Sequence, residues 1–354
     1  MTASSTLGVG FLGSGPVTQA IHLPALARLT DLFTVRAVMD VSEATADGVA
    51  ARVGARGTTS VDEVLEDTEV DVVAVCSPHQ FHAEQVIAAC RAGKRAVLCE
   101  KPFATTSDEA SRIAQVSQET GVPIIVGAMH TYDPGWVSFT KAWGPARGSA
   151  SHIRCSVVLP PNTRFEDFAT EVANRQPPQE PSPPNSVDDR ANRLRGGILG
   201  LAIHDLPLIR AFLSTTDGIV VHTAQALNPF GYLVVFSCGD QVVELHAHMS
   251  DNWSPNWLLE VYADDRVGSI KFTPSYVQAG SAEAAISSAG KQVHFAPSGR
   301  NGYVEQWQHL YDIAHGEPAH FSPTDLIADL TFALDLSAKA SSALASSPEP
   351  AGVR

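Results

Sequence analysis

Long apolar runs are missing from this chain: none reaches the length needed to span a bilayer. Cysteine is scarce as well. There are five in 354 residues (Cys76, Cys90, Cys99, Cys155 and Cys238), with no CxxC pair and no metal-ligand spacing. Thiols scattered through apolar segments read as buried free cysteines rather than as a disulfide framework or a metal centre, so no metal is expected. Basic charge is short too: 24 Lys and Arg against 38 Asp and Glu leave a formal net charge of −14. A nucleic acid or an anionic membrane surface calls for a basic footprint, and neither is expected as a partner. The opening "MTASSTLGVGFLG" carries no basic stretch ahead of its apolar residues. No secretory signal is read there, and together with the unpaired thiols this points to the cytoplasm.

What is present is a 44% hydrophobic, 18% charged chain, long enough for two domains with real cores. Its first third alternates short β-branched runs with helical stretches. "TLGVGFLG", "FTVRAVMD", "VDVVAVCSP", "RAVLCE" and "PIIVGA" read as strands, separated by helices such as "SEATADGVAARVG", "HAEQVIAACRAG" and "TSDEASRIAQVSQETG". That order predicts a doubly wound parallel sheet, and the strands are apolar throughout, as both-face burial requires. After residue 128 the texture changes to strand-like runs joined by short turns, "SASHIRCSVVL" through "GSIKFT", interrupted by one helix, "GGILGLAIHDLPLIRAFL". This predicts an α+β domain over 129–354 with a large, mostly antiparallel, open-faced sheet, after a dinucleotide-binding domain over 1–128. Two amphipathic helices close the chain and are expected to pack back on the first domain or the second sheet. The Pro-rich stretch between Pro160 and Arg195 is too long for a bland connection and is read as a cover or a disordered segment. "SSPEPAGVR" reads as a loose end.

"VGFLGSGPVTQAI" places Gly13 and Gly15 between the first strand and the first helix, with Pro16 and Val17 opening that helix. Small residues there allow a tight turn and let backbone approach a pyrophosphate held on the helix N-terminus. The third position of the pattern is Thr18 rather than glycine. The second strand ends at Asp40, 27 positions after Gly13, where a ribose-binding acid belongs. Such an acid repels a 2′-phosphate, so NAD is favoured over NADP, with the neighbouring Ser42 as the counter-signal.

The segment "CSPHQFHAEQVIAACRAGKRAVLCEKPFATTSDEA" (76–110), with the turn at Gly13–Thr18, "HLPAL", "VGAMHTYDP" and "GGILGLAIHD", resembles the Gfo/Idh/MocA family of glucose–fructose oxidoreductases and inositol dehydrogenases. The resemblance is close over the first 135 residues and in outline beyond. It implies a cytoplasmic homodimer or homotetramer that oxidises a secondary alcohol of a sugar, cyclitol or related polyol with NAD, or runs the reverse. It further implies that Lys101 contacts the substrate oxygen and moves its proton, and that the Lys101–Pro102 bond is cis. Glu100 supports the lysine or meets the nicotinamide ribose, Ser77 and Pro78 shape the turn over the dinucleotide, and His82 belongs to the cofactor's surroundings. Where relatives carry Asp-x-x-x-His, this chain has Gly200 and His204. Three readings of that departure stand open: His204 acts without its acid, with Lys101 taking the larger share; a substitute such as His130, Asp205 or a residue of the 160–195 loop orients it; or the chemistry is lost. His130 is equally a substrate contact or a core residue, and Asp205, adjacent to His204, points away from its face. The alternatives to a dehydrogenase are a catalytically weak or silent NAD-dependent sensor, and a cofactor-recycling hydrolase or lyase. His246 and His248 share a strand face and are read as subunit contact rather than as metal ligands, and Trp253 and Trp257 as a turn pair that stacks on a sugar or packs at an interface.

Overall fold

The computed structural model describes residues 6–175, 186–251 and 254–346. Six parallel strands form the first sheet: β1 (Leu7–Leu12), β2 (Phe33–Met39), β3 (Arg56–Thr58), β4 (Val72–Val75), β5 (Ala96–Cys99) and β6 (Ile124–Val126), in the order β3-β2-β1-β4-β5-β6. β1, β4 and β5 are buried at every position, because helices cover both faces. These include α1 (Leu23–Leu26), α2 (Glu43–Val53), α3 (Val61–Leu65), α4 (His82–Arg91) and α5 (Ser107–Thr120). α5 begins where the Thr106 hydroxyl accepts from the Glu109 N–H, and ends on Gly121 in the left-handed region, a Thr cap and a glycine stop. The first helix does not run as a single α-helix: Thr18–His22 is a π turn that leads into α1.

The second sheet has eight strands: β7 (His152–Leu159), β8 (Val220–Ala226), β9 (Gly231–Cys238), β10 (Gln241–Met249), β11 (Asn256–Tyr262), β12 (Arg266–Lys271), β13 (Glu283–Ser288) and β14 (Lys291–Phe295). Their order is β14-β13-β12-β11-β7-β10-β9-β8. Only β7 and β10 pair in parallel; the other neighbours are antiparallel. Burial alternates along β7, β9, β10 and β11, so one face carries the core and the other is open. The core face meets α6 (Pro134–Trp143), α8 (Val187–Gly200), α9 (Leu206–Phe212) and α11 (Pro323–Ser346), while α7 (Thr163–Ala169) and α10 (Gly302–Ala314) face the first domain. β3, β13, β14, α3, α6 and α7 were not legible as elements. The first is three residues long, and β13 and β14 are rich in small or polar residues with little apolar signal.

One expectation fails outright. "GGILGLAIHDLPLIRAFL" is not one helix: α8 stops at Gly200, Ala202–His204 forms a 3₁₀ turn, and α9 restarts at Leu206. Pro207 lacks the N–H that an unbroken helix would need, and sits instead near the start of α9. Trp257 is likewise no turn residue; it lies in β11 and is wholly buried. Trp253 and residues 347–354 of the tail lie outside the described residues, as does 176–185 of the Pro-rich stretch.

Candidate functional site

The carboxyl ends of β5 and β6, and the helical start after β1 with Val17 and Ile21, meet the end of α8 at one cleft of about 90 Å³. Position follows from topology: ligands in a doubly wound fold sit beyond the strand ends. Lys101 follows β5 directly, and the Lys101–Pro102 peptide is cis. Its Nζ donates to the Gly200 carbonyl oxygen at 2.7 Å. That oxygen belongs to the last residue of α8, where helix carbonyls are unpaired and the dipole favours a cation. The backbone therefore does at position 200 what a carboxylate side chain could otherwise do: it anchors the lysine. Burial pushes the Lys101 ammonium below the ordinary lysine value, with Glu100 opposing.

Glu100 is held on two sides. His22 Nε2 lies 3.0 Å from its Oε1, and the Lys101 backbone N–H donates to Oε2 at 3.2 Å. Burial alone would raise this carboxyl; the hydrogen bond from His22 and the nearby Lys101 outweigh burial and hold it below the usual range. Burial pulls the His22 imidazole down, while Cys76 and Glu100 raise it, to about 10. Yet Trp307 donates its indole N–H to His22 Nδ1 at 3.1 Å, which leaves that nitrogen no room for a proton. The bond geometry decides: the single ring proton sits on Nε2, toward Glu100. Glu100 is thus a buried anion fixed behind the lysine.

His204 lines the same cleft. It is 7% exposed, and its Nδ1 is buried without a partner. Burial, then the charges of Lys101 and His130, push its imidazole well below the ordinary value, so the ring is neutral and able to take up a proton. His130 stands beside it with ring centroids 5.9 Å apart, stacked on Phe272 at 3.9 Å. Its Nδ1 lies 3.3 Å from Asp205 Oδ1, and its Nε2 too is buried and unpartnered. Asp205 also accepts from the Trp257 indole at 2.9 and 3.0 Å. Asp205 therefore does point away from His204, but toward His130.

The Gly-rich turn fits a dinucleotide. Gly13 has φ +98°, and a Cβ there would stand 2.7 Å from the backbone of Cys76 and Ser77, so only glycine closes this turn. A Cβ on Gly15 would meet nothing within 4 Å: protein packing does not need this glycine, and the space beside it is free for a phosphate. Pro16 and Val17 start the helix, and Val17 reaches the cleft. Thr18 is buried and donates its hydroxyl to the Gly13 carbonyl at 2.7 Å, and the wider π turn gives its methyl room. Asp40 Oδ2 accepts from the Ser14 N–H and hydroxyl, each at 3.0 Å, and Oδ1 from the Ser42 N–H at 3.0 Å. Ser77 and the exposed Pro78 follow β4, with the Ser77 hydroxyl donating to Gln85. His82 is wholly buried; its nitrogens lie 2.8 and 2.7 Å from the Pro102 and Ser77 carbonyl oxygens. It clamps the two turns together and offers no free atom to a cofactor.

Several cleft residues carried no sequence signal: Asn162, Ser275, Tyr276 and Tyr303. Tyr276 adopts φ 68°, a left-handed backbone that costs free energy in a non-glycine residue and clusters at functional sites. Burial raises both phenols, so they remain neutral donors. Beyond the cleft, residues 171–174 cross to the first domain. Gln19 bonds the Ala173 backbone through both its Nε2 and Oε1, Arg52 donates to the Glu171 carbonyl, and Asn174 donates to the Thr45 hydroxyl. Among the described residues, no three His, Cys, Asp or Glu side chains are placed to hold a metal ion, and no helix is long and apolar enough to cross a membrane. All five cysteines are free.

This arrangement has known counterparts. The model of an oxidoreductase family with an NAD-binding Rossmann fold, Gfo/Idh/MocA, matches residues 7–128. Residues 7–128 thus match the NAD-binding domain of that family. Inositol 2-dehydrogenase 2 of Saccharopolyspora erythraea is 36% identical over 144 residues, which is 40% of this chain and 42% of the relative. Inositol 2-dehydrogenase of Paracoccus denitrificans is 36% identical over 148 residues, 41% of this chain and 43% of the relative. The match thus spans about two fifths of these Gfo/Idh/MocA relatives. The fold extends further: the structure of UDP-N-acetylglucosamine 3-dehydrogenase GnnA from Acidithiobacillus ferrooxidans superposes with a TM-score of 0.72 at 18% identity, covering 96% of this chain and 100% of that one.

Proposed function

We propose that the protein is an NAD-dependent dehydrogenase or reductase that interconverts a secondary alcohol and a ketone on a sugar, cyclitol or related polyol. The observation that carries this reading is the meeting of Lys101, from the first sheet, with the unpartnered His204, from the second domain, in one cleft beside the Gly-rich turn. The relatives' named substrates, an inositol and a nucleotide sugar, both carry ring secondary alcohols. NAD, when bound, supplies the hydride acceptor. Gly13, Gly15, Pro16 and Val17 would seat its phosphates and Asp40 its adenosine ribose, whose 2′-phosphate form that carboxylate disfavours. The chain's own residues then handle the proton. Lys101, fixed by the Gly200 carbonyl and Glu100, holds the substrate oxygen and takes up its proton. His204, neutral and desolvated, is the second acceptor.

The dyad acid absent at Gly200 has a displaced substitute. Asp205 fixes His130, and His130 Nε2 and His204 Nδ1 are both buried and unpartnered on neighbouring rings. A hydroxyl bridging the two lets Asp205 steady His204 at one remove. Residues 129–354 are assigned to substrate binding and, through the open face of the second sheet, to a homodimer or homotetramer. The free cysteines suit a reducing cytoplasm.

The test is NADH formation from NAD with cyclitols, aldoses and sugar acids, comparing wild type with Lys101→Met. Turnover that falls roughly 10²–10⁴-fold in the variant, with NAD affinity kept, supports the reading. Tight NAD binding without turnover on any compound would shift the assignment to a sensor or to an enzyme that recycles its cofactor.

A further inference from the structure

A second chamber opens from the reaction cleft. It is a half-open groove of about 400 Å³ between the ends of β7 and β10, the start of α7 and one side of α8. The two volumes share Leu159, Asn162, Gly200 and Leu201 as walls, so they adjoin at Gly200, where an added Cβ would meet nothing within 4 Å. Sites for drug-sized ligands run to roughly 300–1,000 Å³, and a single sugar or cyclitol ring in the cleft leaves this chamber unfilled.

The chamber is apolar. Apolar side chains, Leu159, Pro160, Leu201, Phe230 and Met249 among them, make most of its wall; the polar ones are Asn162, Thr163 and His248, and among the described residues no Lys, Arg, Asp or Glu lines it. A phosphate or diphosphate placed there would find only the His248 imidazole and no Lys or Arg, and desolvating it underpaired is costly. The floor is the face of α8 that carries Gly196 and Gly200, one helical turn apart. Glycine within a helix costs about 1 kcal/mol relative to alanine, so its presence needs a reason. At Gly197 packing supplies one: a Cβ there would stand 2.9 Å from the Tyr232 ring. At Gly196 and Gly200 packing supplies none, because an added Cβ meets nothing within 4 Å and neither has a positive φ. What those two glycines keep clear is the passage and the chamber. The unpartnered, buried Nδ1 of His204 in the adjoining cleft marks the polar end of the same space.

We propose that the substrate is a conjugated polyol: a sugar or cyclitol ring in the cleft bearing a neutral apolar substituent, an alkyl or aryl aglycone, that crosses Gly200 into this chamber. The proposal rests on the dehydrogenase reading for the reacting ring alone.

The experiment measures binding of paired methyl and phenyl β-glycosides of glucose and galactose to the NAD-loaded full chain by calorimetry, with UDP-glucose as the charged comparison. NADH formation is followed in parallel. The phenyl member of a pair should bind about tenfold or more tightly than its methyl partner, from the apolar area it buries. Gly196→Leu, which fills the chamber without touching Lys101 or His204, should erase that preference while leaving affinity for the methyl glycosides unchanged. Phe230→Asp, at a position already 36% exposed, supplies a second variant that keeps the fold and should do the same. Equal binding of the paired glycosides, including no binding of either, overturns the proposal; so does a phenyl preference that survives both variants, or tighter binding of UDP-glucose than of phenyl glucoside. Turnover of free polyols without an aryl preference would overturn the chamber and keep the dehydrogenase. An aryl preference lost in Gly196→Leu, without NADH formation, would keep the chamber and remove the dehydrogenase.

Discussion

Lys101 and His204 face one cleft, yet their environments tune them in ways a titration can separate. Burial lowers the Lys101 ammonium below its ordinary 10.5, so the free amine that takes up a hydroxyl proton appears at a lower pH than for an exposed lysine. The oxidation rate should therefore rise with pH along a limb centred below 10.5, and that limb should vanish in Lys101→Met. His204 is pushed well below 6.5, so its protonation should leave no loss of rate between pH 6 and 7. A pH profile of kcat/KM checks both. Asp205→Asn keeps an acceptor for the Trp257 indole but weakens the hold on His130; kcat should fall by a fraction of the roughly 10²–10⁴-fold that acid–base catalysis supplies, with KM little changed. Lys101 and His204 were legible because each sits in a local motif. The His22–Glu100–Trp307 group and the His130–Asp205 pair were not, since their members lie 75 to 285 positions apart and only the fold brings them together. Asp205 points off the face of His204, as its adjacency predicts, and its bond to His130 carries no signal in the sequence.

Among elements, the Gly-rich turn offers the cleanest contrast. Gly13→Ala places a Cβ 2.7 Å from the Cys76 and Ser77 backbone at a positive φ, so stability should fall by about 1–3 kcal/mol along with NAD binding. Gly15→Ala meets nothing within 4 Å; melting temperature should stay level while the NAD Kd rises. If Gly15→Ala binds NAD as wild type does, the phosphate does not lie there. Apart from the three-residue β3, the strands of the first sheet were readable because burial of both faces leaves apolar runs. The break between α8 and α9 was not: periodicity continues through Gly200–His204 although the backbone tightens into a 3₁₀ turn, and apolar spacing alone does not register that change. β13 and β14 escaped for the opposite reason, having too little apolar pattern to read.

At the scale of the whole molecule, α11 joins two cores. Leu326 and Leu330 pack in the cluster beneath α4 and α5, while Phe332, Ala333, Leu336, Ala340 and Leu344 pack in the one that contains the second sheet. Arg210 on α9 pairs with Asp329, within the first set. Leu330→Ala should cost about 2–5 kcal/mol and lower one cooperative calorimetric transition, because neither core is complete without this helix; two separated transitions in wild type would contradict that. Acid should also loosen the molecule through His309, whose Nε2 accepts from the His320 N–H at 3.1 Å. Burial, reinforced by His320, lowers its pKa to about 4. The unfolded chain then binds the extra proton between pH 6.5 and about 4, so stability declines as pH falls through that window and is level above it. His309→Gln, which keeps an acceptor and cannot titrate, should flatten that part of the melting curve against pH.

The segment that leaves β7 touches both halves of the site. Asn162 lines the cleft that holds Lys101 and His204, and eleven residues further on Ala173 is bonded through Gln19 to the first domain, where Gln19 also donates to the Ser14 carbonyl of the Gly-rich turn. One short run of chain thus touches both pockets. If filling one pocket shifts this run, the free energy of filling the other changes, and linkage makes the effect mutual: whatever factor a polyol applies to NAD affinity, NAD must apply to the polyol. Gln19→Ala, which cuts the run from the turn, should bring that factor toward one, so that the two ligands would bind without notice of each other.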